Sequence, residues 1–355
     1  MKYTYRNARI PFDNKLRIEL EAACERVFQK IQPLDLGSID IGDDIKIFFA
    51  EKKNSLVTNL IKYSYHLGLA VAKANRPINE LTIIDHGGGT GLMGMLAKDL
   101  GFGKVIYSDI NEEWTNDAKK IATKLNLPSD FYVSGDFSDL LNFIKGNSLS
   151  ADVIVSYNVI EHIYNIYDFC SALTNLNNKS LVVVMSTGAN MYNRGTRKVI
   201  VPTQIIAEYG DENGKFGDGL PYNKIRENII KEHRPELKQD VVGKLVKATR
   251  GMIKEDITKT VDEYLKTNVM PPEPVHATNT CDPYTGYWAE HFMDPRELQG
   301  ILIKQNYNVE ILAGYYGAPN SKLRRFIGSV LNGIIKVFGT KALAISPYWT
   351  IYAKK

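Results

Sequence analysis

The densest chemistry in the sequence lies in Asp85-His86-Gly87-Gly88-Gly89-Thr90-Gly91. An acid followed by Gly-x-Gly-x-Gly strips side chains from the main chain, so a ligand can approach bare backbone and meet the N–H groups of a following helix. A nucleoside-type cofactor suits such a turn. Glycine count alone leaves two cofactors open, because Gly89-Thr90-Gly91-Leu92-Met93-Gly94 also reads as the G-x-G-x-x-G of a dinucleotide fold, with Asp109 about 20 residues downstream of its first glycine. Three features tip the balance away from a pyrophosphate. Asp85 would repel it and welcome a cationic amino-acid group. Asp136, in Ser134-Gly135-Asp136-Phe137, sets an acceptor beside an aromatic ring that can hold adenine by its amino group and its face. Lastly, Asp152-Val153-Ile154-Val155-Ser156-Tyr157-Asn158-Val159-Ile160-Glu161-His162-Ile163 runs from a buried strand into polar groups. Asp109 and Asp136 would also serve as plain helix N-caps.

Histidine is the natural proton acceptor near neutral pH. The chain offers His66, His86, His162, His233, His276 and His291. His162 follows a strand end, the edge where open α/β sheets bind ligands, and is expected to face substrate or take its proton. Glu161 and His162 would equally cap and orient that loop. His276 to His291 mixes polar and aromatic residues with too many breakers for a helix, as binding loops do. There Tyr284, Tyr287 and Trp288 are expected to stack on a sugar or another flat substrate, with Glu290 and His291 as polar groups over the acceptor. Arg194, Arg197 and Lys198 read first as a solvated basic face, and would alternatively meet a phosphate of a nucleotide- or lipid-linked sugar. His276, Cys281 and His291 match no standard zinc spacing, so no metal is expected.

The elements that must hold these groups alternate. Leu81 to Asp85, Val105 to Ser108, Phe131 to Val133, Asp152 to Ser156 and Leu181 to Met185 read as strands, with helices from Leu92 to Leu100 and Trp114 to Leu125 between them. Such alternation implies a mostly parallel sheet covered on both faces. Residues 1–78 read as an N-terminal helical segment, 79–190 as the cofactor-binding core and 191–275 as a helical insertion shaping the substrate site. The last of these shows stripes Ile225, Ile229 and Ile230; Val241, Val242, Leu245 and Val246; Ile257, Val261 and Leu265. Residues 276–355 read as a binding loop and the C-terminal part of the core: a helix from Pro295 to Gln305, a strand from Tyr307 to Leu312, a helix from Leu323 to Phe338 and a strand from Tyr348 to Ala353. The Leu323–Phe338 helix is basic at its start and apolar along one side. It is expected to pack on the sheet, although a peripheral membrane contact would suit the same pattern.

The acid with Gly-x-Gly-x-Gly, the acid at the second strand's end, Gly-Asp-Phe and Val-Ile-Glu-His-Ile together resemble the class I S-adenosylmethionine-dependent methyltransferases. The resemblance covers Leu81 to Ser186 and, more loosely, His291 to Lys355. It implies an α/β, Rossmann-like sheet of seven strands with the last antiparallel. It also implies that Asp85, Gly87, Gly89 and Gly91 border the methionine and ribose of S-adenosylmethionine, that Asp109 accepts the ribose hydroxyls, that Asp136 and Phe137 frame adenine, and that Asn158 lies beside the sulfonium. His86 stands where many relatives carry a smaller or apolar residue. The Ser186–Arg194 stretch, the long insertion and Trp288-Ala289-Glu290-His291 resemble bacterial methyltransferases associated with surface-polysaccharide assembly, which points to a sugar hydroxyl as acceptor. A nicotinamide-dependent oxidoreductase and a catalytically idle cofactor-binding subunit are the alternatives.

Composition bounds the rest. The 355 residues are 44% hydrophobic and 24% charged, which is ordinary globular usage. Lys and Arg number 44 against 40 Asp and Glu, interspersed, which argues against a dedicated nucleic-acid binder. Three scattered cysteines, Cys24, Cys170 and Cys281, make no disulfide framework and suit a reducing cytoplasm. No signal peptide is recognisable, and Ser329, Asn332 and Lys336 interrupt the run Phe326 to Phe338, so no membrane span is expected.

Overall fold

A computed structural model describes residues 12–176, 179–217, 219–317 and 322–355. Its chain forms two compact units: one of residues 1–159, 167–187 and 295–355, the other of 160–166 and 188–294. Residues 276–294, which the sequence groups with the C-terminal core, therefore fall in the second unit.

The first unit is built on a sheet of seven strands: β1 (Thr82–His86), β2 (Lys104–Asp109), β3 (Phe131–Ser134), β4 (Val153–Tyr157), β5 (Val182–Thr187), β6 (Asn308–Ala313) and β7 (Trp349–Lys354). Their order is β3-β2-β1-β4-β5-β7-β6. β1 to β5 pair in parallel, and β7 runs antiparallel to both β5 and β6. This is the Rossmann-like α/β sheet the sequence predicts. β5 is buried along its whole length, as a parallel strand covered on both faces must be, and its Val182-Val183-Val184 run supplies the β-branched packing. Register aligns Asp85 with Tyr107 and Val155, so the ends of β1, β2 and β4 carry Asp85, His86, Asp109 and Tyr157 to one edge.

Helix starts follow their caps. The helix expected from Trp114 begins at Glu112, because the Asn111 side chain accepts the Trp114 N–H and the acids Glu112 and Glu113 suit the first turn. The helical pattern before β1 resolves into Asp43–Asn54 and Leu56–Ala74, the latter closed by left-handed Asn75. A further helix, Asn14–Ile31, buries Leu20, Ala23, Cys24, Val27 and Ile31.

The helix Lys322–Phe338 departs from expectation. Among its described residues Gly328, Asn332 and Ile335 are buried, while Leu323, Phe326, Ile327, Val330, Ile334, Val337 and Phe338 are exposed. Its apolar side is not what packs on the protein. Leu323–Ile345, with a mean hydropathy of 1.3, also reaches the length and apolarity of a membrane span, which the interrupted pattern had argued against.

The second unit is helical: Arg194–Tyr209, Tyr222–His233, Gln239–Ala248 and Lys254–Thr267. The sequence stripes meet in one cluster of Ile229, Ile230, Val242, Leu245, Ile257 and Val261, with Ile225, Val241 and Val246 packed against it. Leu265 is the exception and is exposed. A buried Arg226–Glu208 ion pair ties two of these helices together, and Glu208 accepts a second hydrogen bond from the Thr280 hydroxyl (2.8 Å).

Candidate functional site

In the first unit the glycine turn is fixed from beneath. Gly87 and Gly88 donate their N–H groups to the Ser108 carbonyl at 2.7 and 3.1 Å, and the Tyr107 hydroxyl donates to the Gly89 carbonyl at 2.7 Å. Gly87 (φ +67°), Gly89 (φ +52°) and Gly91 (φ +73°) all lie in the left-handed region. A Cβ at Gly87 would stand 2.3 Å from Val159, whereas one at Gly89 would meet nothing closer than Phe48 at 3.7 Å. The Gly89 face of the turn is thus open, as close approach by a ligand requires.

The acids around it have defined partners. Asp85 is buried, and its Oδ2 accepts the Gly94 N–H at 2.8 Å, which clamps β1 to the start of the helix Leu92–Leu100. Burial pushes its carboxyl up to about 7, with Asp109 adding to the shift. It is therefore a weaker attractant for a cation at neutral pH than its position in the sequence suggests. Asp109 accepts the Gly89 N–H (2.9 Å) on Oδ2 and the Asn111 N–H (3.1 Å) on Oδ1, and burial raises its pKa. Each oxygen keeps a lone pair for a ligand hydroxyl. Asp136 is exposed and caps the helix Phe137–Gly146, with Oδ1 accepting from Ser138 and Asp139. The plain capping role is thus realised through Oδ1. Asn158 holds a left-handed backbone (φ +56°), and its N–H donates to the Ser186 carbonyl (2.8 Å).

His86 is the group the sequence left without a role. It is buried, stacked on Phe169 (5.3 Å between centroids) and edge-on to Phe137 (5.5 Å), and burial lowers its pKa to about 4. Its Nδ1 is buried without a hydrogen-bond partner. An orphaned polar atom of this kind, beside an open glycine turn, fits a polar ligand with an aromatic portion. Phe169 gave no signal in sequence, since nothing links it to residue 86 except the fold.

In the second unit His162 and residues 287–291 come together. His162 Nδ1 lies 2.8 Å from the Trp288 carbonyl, which can only accept, so Nδ1 is the donor in that bond and Nε2 is the ring nitrogen turned to other partners. The ring stacks on Tyr287 at 4.4 Å and 7°. Glu290 Oε1 stands 3.9 Å from His162 Nε2. Glu290 has φ +60°, an uncommon conformation for a residue with a side chain, and its carbonyl accepts from Gln204 Nε2 (2.7 Å). Among the described residues, Glu161, His162 and Glu290 bring their ligand atoms within 4.8 Å of one another, a grouping that would suit a metal ion. It differs from the His276, Cys281 and His291 trio weighed from sequence. Cys281 is buried, with its thiol pushed up to about 12.

The other substrate-side residues separate. Trp288 is occupied by the protein: its ring stacks on His291 at 4.1 Å, its Nε1 donates to the Tyr164 carbonyl (3.2 Å), and a Cβ at Gly251 would lie 2.7 Å from it. The ring expected to stack on a sugar thus already stacks on a protein ring. His291 keeps a buried, unpartnered Nδ1, and burial lowers its pKa to about 4, with His276 nearby. Tyr284 and Tyr287 are exposed. Arg194 is exposed in the first turn of its helix, behind the Asn193 cap.

Residues 84–179 match the family model described as a methyltransferase domain, which does not favour the nicotinamide reading of the glycine turn. No curated protein matches the chain. Similar solved structures include ribosomal protein L11 methylase from Lactobacillus delbrueckii subsp. bulgaricus, at 22% identity over 35% of this chain and 60% of that one, TM-score 0.26. The chain thus spans less than two thirds of the length of that protein. An S-adenosylmethionine dependent methyltransferase from Mesorhizobium loti is 13% identical over 82% and 98% of the two chains, TM-score 0.37. The plantazolicin methyltransferase BpumL in complex with SAH (S-adenosylhomocysteine) is 12% identical over 96% and 99%, TM-score 0.38. At these values the likenesses add nothing to the domain match, and the fold stands on its strand order.

Proposed function

With residues 84–179 matching a methyltransferase-domain model, we propose that the chain transfers a methyl group from S-adenosylmethionine to a hydroxyl of a small molecule, a carbohydrate intermediate in the first instance. The observation that carries the hydroxyl is the His162 tautomer. With Nδ1 donating to the Trp288 carbonyl, Nε2 is the nitrogen that would take the hydroxyl proton, with Glu290 Oε1 3.9 Å away. A hydroxyl needs that help, because it is a poor nucleophile until its proton is being removed. Bound S-adenosylmethionine supplies an electrophilic methyl group.

The residues that would hold it are the open backbone at Gly89, the spare lone pairs of Asp109 for ribose hydroxyls, and the Phe137 ring with Asp136 Oδ2 for adenine. Asp85 shapes the turn through Gly94. The orphaned His86 Nδ1 adds a polar partner that the sequence did not assign. On the acceptor side, the exposed rings of Tyr284 and Tyr287 suit the apolar face of a sugar, while His291, neutral at physiological pH, offers a hydrogen bond. Arg194 is kept as a candidate for a phosphate on the acceptor. A link to surface-polysaccharide assembly and a cytoplasmic site of action belong to the same proposal.

The test is methyl transfer from labelled S-adenosylmethionine to a panel of nucleotide-linked sugars and free polyols, with product ether linkages identified by mass spectrometry. Transfer to a hydroxyl supports the reading, and transfer only to nitrogen or carbon acceptors overturns it. NADH binding in place of S-adenosylhomocysteine would overturn the cofactor as well.

A further inference from the structure

The helix Lys322–Phe338 turns an unbroken apolar stripe outward. Leu323, Phe326, Ile327, Val330, Ile334 and Val337 recur three and four residues apart, and the exposures of Leu323 (67%), Phe326 (69%) and Val337 (78%) leave most of each side chain in water. Solvent exposure of so many large apolar groups along one helix is unfavourable unless something covers them.

The helix is not loose. Asn332 Oδ1 accepts the Tyr316 N–H at 2.7 Å and Asn332 Nδ2 donates to the Tyr316 carbonyl at 2.9 Å, while the Tyr316 hydroxyl donates to the Ile345 carbonyl at 2.8 Å. Those bonds hold the Asn332 and Ile335 side against the loop after β6 and fix the apolar stripe facing away. Both flanking strands, β6 and β7, pair with each other, so the segment leaves and re-enters one sheet edge. It can lie along a surface without unpairing β7, which crossing a bilayer would demand.

Charge selects the surface. Arg324, Arg325, Lys336 and Lys341 are exposed in this segment, and no Asp or Glu occurs in the sequence after Glu310. Elsewhere the two signs are interspersed. A second copy of the chain would bring the same cations to a symmetric contact, which opposes self-association. An apolar face on a segment that carries cations and lacks acids is matched by a bilayer bearing anionic headgroups.

We propose that this helix seats the protein in the interfacial layer of an anionic lipid bilayer, with Phe326, Val330 and Val337 inserted among the acyl chains and Arg324, on the flank of the stripe, at the headgroups. The site is independent of the cofactor turn and of the acceptor chemistry.

The test is co-sedimentation of the full chain with vesicles of phosphatidylcholine containing phosphatidylglycerol, against vesicles of phosphatidylcholine alone. Binding is expected to the anionic vesicles and to weaken as salt is raised. Val337→Glu and, separately, Phe326→Glu should each reduce partitioning at least about tenfold, since either buries a charge in the apolar layer. Arg324→Gln with Arg325→Gln should weaken it about fivefold per charge removed. Melting temperature and S-adenosylhomocysteine affinity should match the parent in Val337→Glu and Phe326→Glu, because both side chains are exposed. Failure of the parent to bind anionic vesicles, or undiminished binding by Val337→Glu and Phe326→Glu, overturns the proposal. So does a lipid-free dimer, seen by light scattering, that Val337→Glu splits, for then a second copy covers the face.

Discussion

Gly89→Ala isolates the open side of the cofactor turn from its folding role. Gly89 sits at φ +52°, and a Cβ there would come no nearer to the protein than 3.7 Å, from Phe48. The backbone conformation alone costs an L-residue about 1–2 kcal/mol, and no clash is added. Gly87, at φ +67°, carries the same backbone cost, but its Cβ would lie 2.3 Å from Val159, and overpacking adds about 1–3 kcal/mol. The melting temperature should therefore fall modestly in Gly89→Ala and further in Gly87→Ala. Affinity for S-adenosylhomocysteine should fall in Gly89→Ala by at least about tenfold, or 1.4 kcal/mol, because the new methyl occupies the space a ligand needs. Calorimetric titration beside thermal melts of the intact chain reads both quantities. Parent-like affinity in a folded Gly89→Ala protein would mean that nothing binds against that backbone, and the cofactor assignment would go with it.

His162→Gln should lower kcat about 10²–10⁴-fold at unchanged S-adenosylhomocysteine affinity; parent-like turnover removes it as the base. Asp109→Ala should weaken S-adenosylhomocysteine binding by about 1–3 kcal/mol through the lost acceptor, and an unchanged titration would deny the ribose contact. Burial holds Asp85 at about 7 against 3.8 when exposed, so the unfolded chain sheds that proton first and Asp85 lowers stability progressively from about pH 4 to 7. Asp85→Asn, which keeps an acceptor for Gly94, should then gain about 4 kcal/mol on the parent at pH 8 and little at pH 4; equal urea midpoints at pH 8 would contradict this. The opposite sign holds for His66, His86 and His291, lowered by burial from 6.5 to about 4: the unfolded state takes protons first as pH falls, so their share of stability is lost between about pH 6.5 and 4. His86→Phe should blunt the loss of urea resistance between pH 7 and 5, and an unaltered fall would show that His86 is not held neutral.

What the sequence made legible was local. The glycine turn could be read because left-handed backbone and bare approach leave few residue types to choose from. β1 to β5 could be read because buried parallel strands show as short β-branched runs. Residues that meet only through the fold were out of reach: the Trp288 carbonyl that sets the His162 tautomer lies 126 residues from it, and the Phe169 ring under His86 has no sequence cue. Asp136 shows a second limit, since an acid at a strand end reads alike as a cap and as a ligand contact. The Leu323–Phe338 stripe shows a third, because periodicity tells which residues share a face and not what covers that face. The helix Asn14–Ile31 was blurred by Ala23 and Cys24, small residues that dilute an apolar stripe.

The strand β7 lies between β5 and β6 although it follows all the others in the chain, and it pairs residue for residue from Lys354 opposite Val182 to Trp349 opposite Thr187. A ribosome therefore delivers β5 long before the neighbour that will shield its edge, and the whole of residues 188–294 emerges in the interval. During synthesis the β5 margin stays open to any other extended segment. The helical unit, whose two segments are both complete by residue 294, is free to fold while that margin waits. Shortening the chain before Trp349 would leave both β5 and β6 without a shared partner, and the expected product is aggregated protein rather than a smaller active one.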